Sequence, residues 1–416
     1  MDSLIINGGA SLKGQVKISG AKNAVLPIMA ASILSSSEVV LSEVPDLEDI
    51  KVMSEALSIL GARVKRESDS LIIDSRNIRS CEIPEEISRK MRASNLVMGA
   101  LLARFGTAKV AYSGGCAIGS RPVDLHLKGF NNLGYRVWEK AGFMIGEGRP
   151  KSGKEILLDF HSVGATENLI MAASTVPGTT IIRNAAREPE IVDLQNFLNR
   201  MGARIKGAGL DSIRIDGVSK FGGINHVVIP DRIEAGTFMI GAAISRGDVF
   251  IENVAKEHIQ PLVYKLREIG VEIMQTSTGI RVMGSRCFRP ADFKTMPYPG
   301  FPTDMQPQTM ALLSTIKGTS IVVETIFENR YMHVPELRRM GADIKIEGRV
   351  AIIKGREELE GACVEASDLR AGAALILAGL FAKGRTEITG VRHIDRGYEN
   401  IHLKLRGLGA DIERKN

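Results

Sequence analysis

The segment Glu190-Ile191-Val192-Asp193-Leu194-Gln195-Asn196-Phe197-Leu198-Asn199-Arg200-Met201-Gly202-Ala203-Arg204-Ile205-Lys206 decides the fold. Up to Met201 its apolar side chains recur three and four residues apart, the pattern of an amphipathic helix. An apolar-Gly-small triplet, Met201-Gly202-Ala203, follows, with the glycine just past the helix end, where a left-handed cap suits it. Ala203–Lys206 and Ser212–Asp216 then alternate like two strands. The triplet returns as Leu60-Gly61-Ala62, Leu133-Gly134-Tyr135, Ile269-Gly270-Val271, Met340-Gly341-Ala342 and Leu408-Gly409-Ala410. The six glycines stand 68 to 73 residues apart, so the chain repeats one supersecondary unit six times.

Working back from the triplet, each copy has the same order. A first helix rich in Ala, Leu and Met, as in Ala24–Leu34, Ala93–Ala103 and Asp368–Ala382, is apolar nearly all round and is expected to be buried. A glycine and a short strand follow at Gly106, Gly178, Gly247, Gly318 and Gly384, while the first copy uses Ser36-Ser37-Glu38 there. The unit is of βαβαββ type and the class is α/β. The last copy stops after Ala410-Asp411-Ile412-Glu413-Arg414 and lacks its final strand. Ser3-Leu4-Ile5-Ile6-Asn7-Gly8 resembles that strand. The N-terminal segment is therefore expected to complete the sixth unit, giving three units per domain. One domain would span residues 22–230, and the other 1–21 plus 231–416. The chain then crosses twice, near Ser19–Ala21 and Ile229–Pro230, a natural hinge with the active site expected in the cleft. An open solenoid is the alternative, and the strand shared between the termini favours closure over it.

Composition agrees with two soluble domains. The chain has 416 residues, 44% hydrophobic and 25% charged. No apolar run is long enough to span a bilayer, and Met1–Ile6 lacks the pattern of a signal peptide. Cys81, Cys116, Cys287 and Cys363 show no CxxC spacing, which argues against structural zinc or a disulfide framework and for a reducing cytoplasm. The net charge of +6 fits nucleic acid or an anionic small molecule. With no basic block, one Trp and six Tyr, the small molecule is the reading adopted, with no nucleic-acid and no membrane partner. The seven histidines have no HxxxH or HxH spacing, so no metal is expected. No Walker loop or Rossmann fingerprint occurs, which disfavours ATP and NAD.

Lys22-Asn23, Arg92, Thr166, Asp231-Arg232, Thr303-Asp304 and Asp368-Leu369-Arg370 occupy equivalent places at the starts of the six buried helices. Aligned helix N-termini attract anions, and added cations strengthen that attraction. Asp and Thr there serve as ordinary caps; Lys and Arg oppose the dipole and need another reason. The second copy carries an insertion, Ser113-Gly114-Gly115-Cys116-Ala117-Ile118-Gly119-Ser120-Arg121-Pro122-Val123-Asp124. A thiol in a Gly-rich loop beside an arginine suits proton transfer or nucleophilic attack. The other three cysteines lack that context and are expected to be small apolar core fillers.

These residues resemble the UDP-N-acetylglucosamine 1-carboxyvinyltransferase family over essentially the whole chain. The resemblance is carried by Ser19–Ala24, Met91–Ser94, Gly114–Gly119, Arg121–His126, Ser162–Thr166 and Ala186–Asp193. It continues through Phe301–Gln306, Phe327–Arg330, Asp368–Ala371 and His393–Tyr398. It implies the enolpyruvyl transferase fold, two inside-out α/β barrels of three units each. The implied reaction adds the sugar 3-hydroxyl to C2 of phosphoenolpyruvate, protonates C3, and then expels phosphate, a committed step of peptidoglycan synthesis that needs no cofactor.

By the same resemblance Cys116 donates the proton and Asp304 is the base. Lys22, Asn23, Arg121 and Arg396 hold phosphoenolpyruvate. Arg92, the run Arg121, Pro122, Val123, Asp124 and Leu125, together with Ser162, Val163, Asp304 and Ile326, contact the nucleotide sugar. Arg330, Asp368 and Arg370 support the closed site. A substrate with both phosphate and carboxylate needs converging cations, and a weakly basic alkene carbon needs a placed acid. One departure stands out: Phe160 replaces a lysine that many members direct at the diphosphate, which leaves that task to Arg121 or His161 or makes diphosphate binding weaker. Cys116 is the form expected to react with fosfomycin. The sister transferase acting on shikimate 3-phosphate, a silent UDP-sugar-binding paralogue and an ATP-using RNA-end-modifying relative are the rival readings.

Overall fold

The computed structural model describes residues 2–111, 123–285 and 287–415; the side chain of Arg92 is outside that description. Cys116, Arg121 and Pro122 therefore lie outside the described residues.

Among the described residues the strands form six four-stranded sheets, and all share one plan. In the sheet of Glu82–Ile83, Thr107–Ala111, Phe143–Glu147 and Arg136–Lys140, the first two strands are parallel and the remaining pairs antiparallel. A buried helix links the parallel pair, as βαβ geometry requires. The amphipathic helix then leads to a hairpin that finishes the sheet. The helix–strand–helix–hairpin order is the one read along the sequence, and a leading parallel strand completes the βαβαββ unit.

All six marker glycines adopt the left-handed conformation, with φ between 91° and 113°. Each ends its helix and turns the chain into the hairpin. The glycine before the next strand is less uniform. Gly106, Gly178, Gly318 and Gly384 have positive φ, but in the fourth copy Arg246 takes that role at φ 50°. There a Cβ on Gly247 would lie 2.1 Å from the Leu12 carbonyl oxygen, so close backbone approach selects the glycine instead.

Residues 2–19 and 230–415 form one compact unit, and residues 20–111 and 123–229 another. In the first, Ser3–Asn7 pairs antiparallel with both Arg385–Thr389 and Asp411–Lys415, supplying the strand that the last copy lacks. Lys13–Lys17 runs parallel to Asp248–Glu252 and leads a second sheet. In the other unit Asn225–Val227 runs parallel to Glu38–Ser42, so the end of the third copy leads the sheet of the first.

Each unit has its own core. The Ala/Leu-rich helices are the interior: every residue from Arg370 to Leu380, and from Ile233 to Ile244, is buried. A fully buried Leu or Ile contributes roughly 1.5–3 kcal/mol. The second helices bury one face only; Asp124–Leu133 buries Gly129, Phe130 and Leu133. Among the described residues no helix is long and apolar enough to cross a membrane.

One expectation fails. Cys287 and Cys363 are exposed and Cys81 is half-buried, so these are not core fillers. Cys363 lies on a strand that points only its middle residue, Val364, inward. Strand alternation, rather than thiol hydrophobicity, sets its exposure.

Candidate active site

In the unit of residues 2–19 and 230–415, three buried helices start near one another, and their polar ends are tied together. Asp304 lies in the 3₁₀ turn Thr303–Met305 that opens the helix Gln306–Leu313. Its Oδ1 accepts from Arg330 Nη2 at 2.7 Å, and its Oδ2 from Arg370 Nη2 at 3.1 Å. Both arginines are 2% exposed, whereas the Asp304 side chain is 28% exposed. A carboxylate held by two buried guanidiniums at a partly open edge is fixed in orientation and reachable.

The arginines are themselves anchored. Arg330 also donates to the Thr303 carbonyl at 3.2 and 3.3 Å. Arg370 Nη1 donates to the Tyr398 hydroxyl at 3.0 Å. That hydroxyl is 2.9 Å from Thr237 Oγ1 and accepts from Gln308 Nε2 at 3.2 Å. Arg370, Tyr398, Thr237 and Gln308 are all buried, so this network joins the three helices polar-to-polar inside an apolar core. Asp368 caps the helix Leu369–Phe381 by accepting from the Arg370 and Ala371 amides at 2.8 and 3.1 Å. The Asp–Arg pattern at this helix start thus has two jobs: the aspartate caps, and the arginine turns inward to Asp304.

Ile326 is set by Glu324, a fully buried carboxylate. Glu324 Oε1 accepts from the Ile326 and Phe327 amides at 2.8 and 3.1 Å and from Thr295 Oγ1 at 2.9 Å. Its Oε2 accepts from Thr303 Oγ1 at 3.0 Å. One side chain therefore aligns the Ile326 loop with the Asp304 turn. Arg232 is partly exposed, its guanidinium 5.7 Å from the centre of the Tyr298 ring.

In the unit of residues 20–111 and 123–229, Lys22 is the first residue of the helix Lys22–Ala31 and is 7% exposed. Its ammonium is 3.1 Å from Asp49 Oδ2, and Asp49 is also buried. This answers the sequence puzzle of a cation at a helix start: a buried carboxylate supplies a counter-charge that offsets the unfavourable meeting of the ammonium with the positive end of the dipole. Asn23 beside it is partly exposed. Arg92 opens the 3₁₀ turn Arg92–Leu96. Ser162 is the N-cap of Val163–Ala173, its hydroxyl accepting from the Ala165 amide at 3.3 Å. Val123 and Leu125 are partly exposed, and Asp124 is exposed as the first residue of its helix.

Phe160 is 50% exposed. His161 Nδ1 lies 3.1 Å from the Ala185 carbonyl, a contact in which Nδ1 carries a proton and donates it.

Sequence reading missed several polar residues here. Asn168 Oδ1 accepts from the Gly99 amide at 2.7 Å, and its Nδ2 donates to the Asn95 carbonyl and to His126 Nδ1, each at 3.1 Å. It joins two buried helices to the helix Asp124–Leu133. Glu167 is buried, and that burial, with Glu190 and Glu188 nearby, pushes its carboxyl well above the usual range, toward the neutral acid. Nothing in the sequence marks either residue, because each lies within an otherwise apolar helix.

His333, the residue before the helix Val334–Arg339, is another polar group that the sequence did not mark. It is 1% exposed, and neither ring nitrogen has a hydrogen-bond partner among the described residues. Burial, only partly offset by Asp368, lowers its pKa to about 4 from 6.5. Between these values the unfolded chain takes up a proton that the folded chain refuses. Stability therefore falls as pH drops through that window, by up to roughly 3 kcal/mol. His333→Leu is expected to flatten this slope and to raise the urea midpoint at pH 5 more than at pH 7. Equal midpoint shifts at the two pH values would show that His333 is not the group responsible.

Among the described residues no three His, Cys, Asp or Glu side chains are grouped to hold a metal ion.

Comparison with known proteins agrees with this architecture. The sequence profile of the EPSP synthase (3-phosphoshikimate 1-carboxyvinyltransferase) family matches residues 6–405. UDP-N-acetylglucosamine 1-carboxyvinyltransferase 1 of Caldanaerobacter subterraneus subsp. tengcongensis is 56% identical over 99% of this chain and 99% of its own length. UDP-N-acetylglucosamine 1-carboxyvinyltransferase 2 of Carboxydothermus hydrogenoformans is 56% identical over 100% of this chain and 99% of its own. Among solved structures, the enolpyruvyl transferase NikO from Streptomyces tendae superposes with a TM-score of 0.89 at 24% identity, covering 100% of this chain and 99% of its own. EPSP synthase from Acinetobacter baumannii does so at 0.79 and 17% identity, with both chains fully covered. The structural neighbours establish the enolpyruvyl transferase fold, and the full-length identity goes further: the chain belongs to the UDP-N-acetylglucosamine 1-carboxyvinyltransferase group of the EPSP synthase family.

Proposed function

We propose that this chain transfers the enolpyruvyl group of phosphoenolpyruvate to the 3-hydroxyl of UDP-N-acetylglucosamine and releases phosphate. The observation that carries the reading is 56% identity over the full length to enzymes of that name. Cys116, Lys22, Asp304 and Arg396 are present in the sequence as the residue types that the resemblance assigns to this chemistry.

In this reading Asp304 takes the proton of the sugar hydroxyl as that oxygen attacks C2. Its two arginine partners fix its orientation, so the base need not be ordered during the reaction. Cys116 delivers a proton to C3 and is the group alkylated by fosfomycin. Lys22, Asn23, Arg121 and Arg396 bind the phosphate and carboxylate of phosphoenolpyruvate. Arg92, Arg121, Pro122, Val123, Asp124, Leu125, Ser162, Val163 and Ile326 contact the nucleotide sugar. Arg330, Asp368 and Arg370 keep Asp304 and its helix start in place. No cofactor takes part. The setting that suits a peptidoglycan precursor and unpaired cysteines is the cytoplasm.

The test is phosphate release from phosphoenolpyruvate with UDP-N-acetylglucosamine, run beside shikimate 3-phosphate. Release with the nucleotide sugar alone is expected. Release only with shikimate 3-phosphate would assign the chain to the sister activity, and release with neither would make it a silent sugar-nucleotide binder.

A further inference from the structure

Arg396 lies between the short helix Val391–Ile394 and the helix Ile401–Gly407. Both flanks of this turn are tied down. On one side Asp395 offers both oxygens to Arg414, whose Nη1 donates to Oδ1 at 2.9 Å and Nη2 to Oδ2 at 2.7 Å. On the other side the buried Tyr398 hydroxyl is held by Arg370, Gln308 and Thr237. The turn also packs tightly on the start of the helix Leu369–Phe381. A Cβ on Gly397 would lie 2.3 Å from Leu369 Cδ1.

Arg414 does more than make one ion pair. Its Nε donates to Asp2 Oδ1 at 2.9 Å, and its Nη2 donates also to Asp2 Oδ2. One planar guanidinium forks to two carboxylates, a geometry lysine cannot reproduce. Its backbone is fixed by strand pairing, since Leu4 and Arg414 face each other in the sheet that joins the two chain ends. The three side chains are 27%, 37% and 35% exposed, so water screens them and their share in global stability is small. What the fork supplies is direction: it sets the backbone one residue before Arg396.

We propose that Arg414 is a positioning residue for phosphoenolpyruvate binding, acting through Asp395 to aim Arg396. The inference rests on the reading of Arg396 as a phosphoenolpyruvate ligand. It makes the last strand of the chain, closed onto the first, part of the substrate-holding apparatus.

Steady-state kinetics on the full chain test this with Arg414→Lys, Asp395→Asn, their double variant, and Arg396→Lys. Arg414→Lys and Asp395→Asn are each expected to raise KM for phosphoenolpyruvate about tenfold, with KM for the nucleotide sugar and the melting temperature nearly unchanged. The double variant is expected to match the singles, because both break one link. Either single variant suffices should the other fail to fold. The proposal is overturned if both leave KM for phosphoenolpyruvate unchanged while Arg396→Lys raises it. It is overturned also if both KM values shift together with the melting temperature, which is what a purely structural fork would do. If Arg396→Lys itself leaves KM for phosphoenolpyruvate unchanged, the assignment of Arg396 fails and the positioning role falls with it.

Discussion

Asp304→Ala is expected to lower kcat by about 10²–10⁴-fold and, separately, to cost about 3 kcal/mol of stability. The two losses have different origins. The first follows from the proposed role of Asp304 as base for the sugar hydroxyl. The second arises because Arg330 and Arg370 are almost fully buried and both direct a guanidinium nitrogen at this carboxylate. Without it, two positive charges remain in a core that cannot solvate them. Water reaches the Asp304 side chain, which is 28% exposed, so the stability loss belongs at the low end of that for a buried pair. Asp304→Asn separates the effects. The amide keeps the shape and one acceptor oxygen, so stability recovers in part while the loss in kcat persists. Urea unfolding and phosphate release on the same two variants provide the check. An asparagine variant with near-normal kcat would remove Asp304 from the role of base, and an alanine variant as stable as wild type would mean that the arginines do not depend on it.

The residues that set the fold were legible because they repeat. A glycine that must take positive φ cannot be replaced cheaply, so all six helix ends kept one, and their spacing exposed the unit. The closing of the last sheet by Ser3–Asn7 was legible for the same reason: that segment has the pattern of the strand it replaces. The parallel leading strands were not. Glu82–Ile83 and Phe293–Lys294 are two residues long, too short to show any alternation. Nor does any local signal say that Asn225–Val227 leads the sheet of the first copy, because parallel pairing is set by the whole barrel.

The candidate site divides along a similar line. Residues at helix starts, such as Lys22, Asp304, Asp368 and Arg370, could be read because a charge there breaks an apolar pattern. Their partners could not. Asp49 and Glu324 are ordinary acidic residues in sequence, and only tertiary packing turns them toward Lys22 and the Ile326 loop. Asn168 and Thr237 hide inside helices whose apolar character is their main signal. The exposure of Cys363 was misjudged because it depends on which face of a strand the residue occupies, and a short edge strand leaves that face unmarked; Cys81 and Cys287 lie outside helices and strands.

Lys22→Met is expected to raise KM for phosphoenolpyruvate about 10- to 100-fold and to destabilise the protein by about 3 kcal/mol. An ammonium has three donors, and the contact with Asp49 at 3.1 Å uses one. On the proposed role the others serve the substrate's anionic groups, and Asp49 orients the lysine without consuming it. Removing the ammonium would then take a charge-assisted bond from the substrate. It also takes an opposing charge from a carboxylate that is 4% exposed. Adding Asp49→Asn to Lys22→Met deletes the second charge while keeping the side chain's shape and its capacity to hydrogen-bond its neighbours. The double variant is therefore expected to regain most of the stability and none of the affinity. Unfolding midpoints and KM for both substrates measure the two effects independently. A double variant that recovers neither would mean that Lys22 stabilises through packing of its stem rather than through its charge. A single variant with unchanged KM for phosphoenolpyruvate would confine Lys22 to a structural ion pair, and the proposed set that meets the substrate's anionic groups would shrink to Asn23, Arg121 and Arg396.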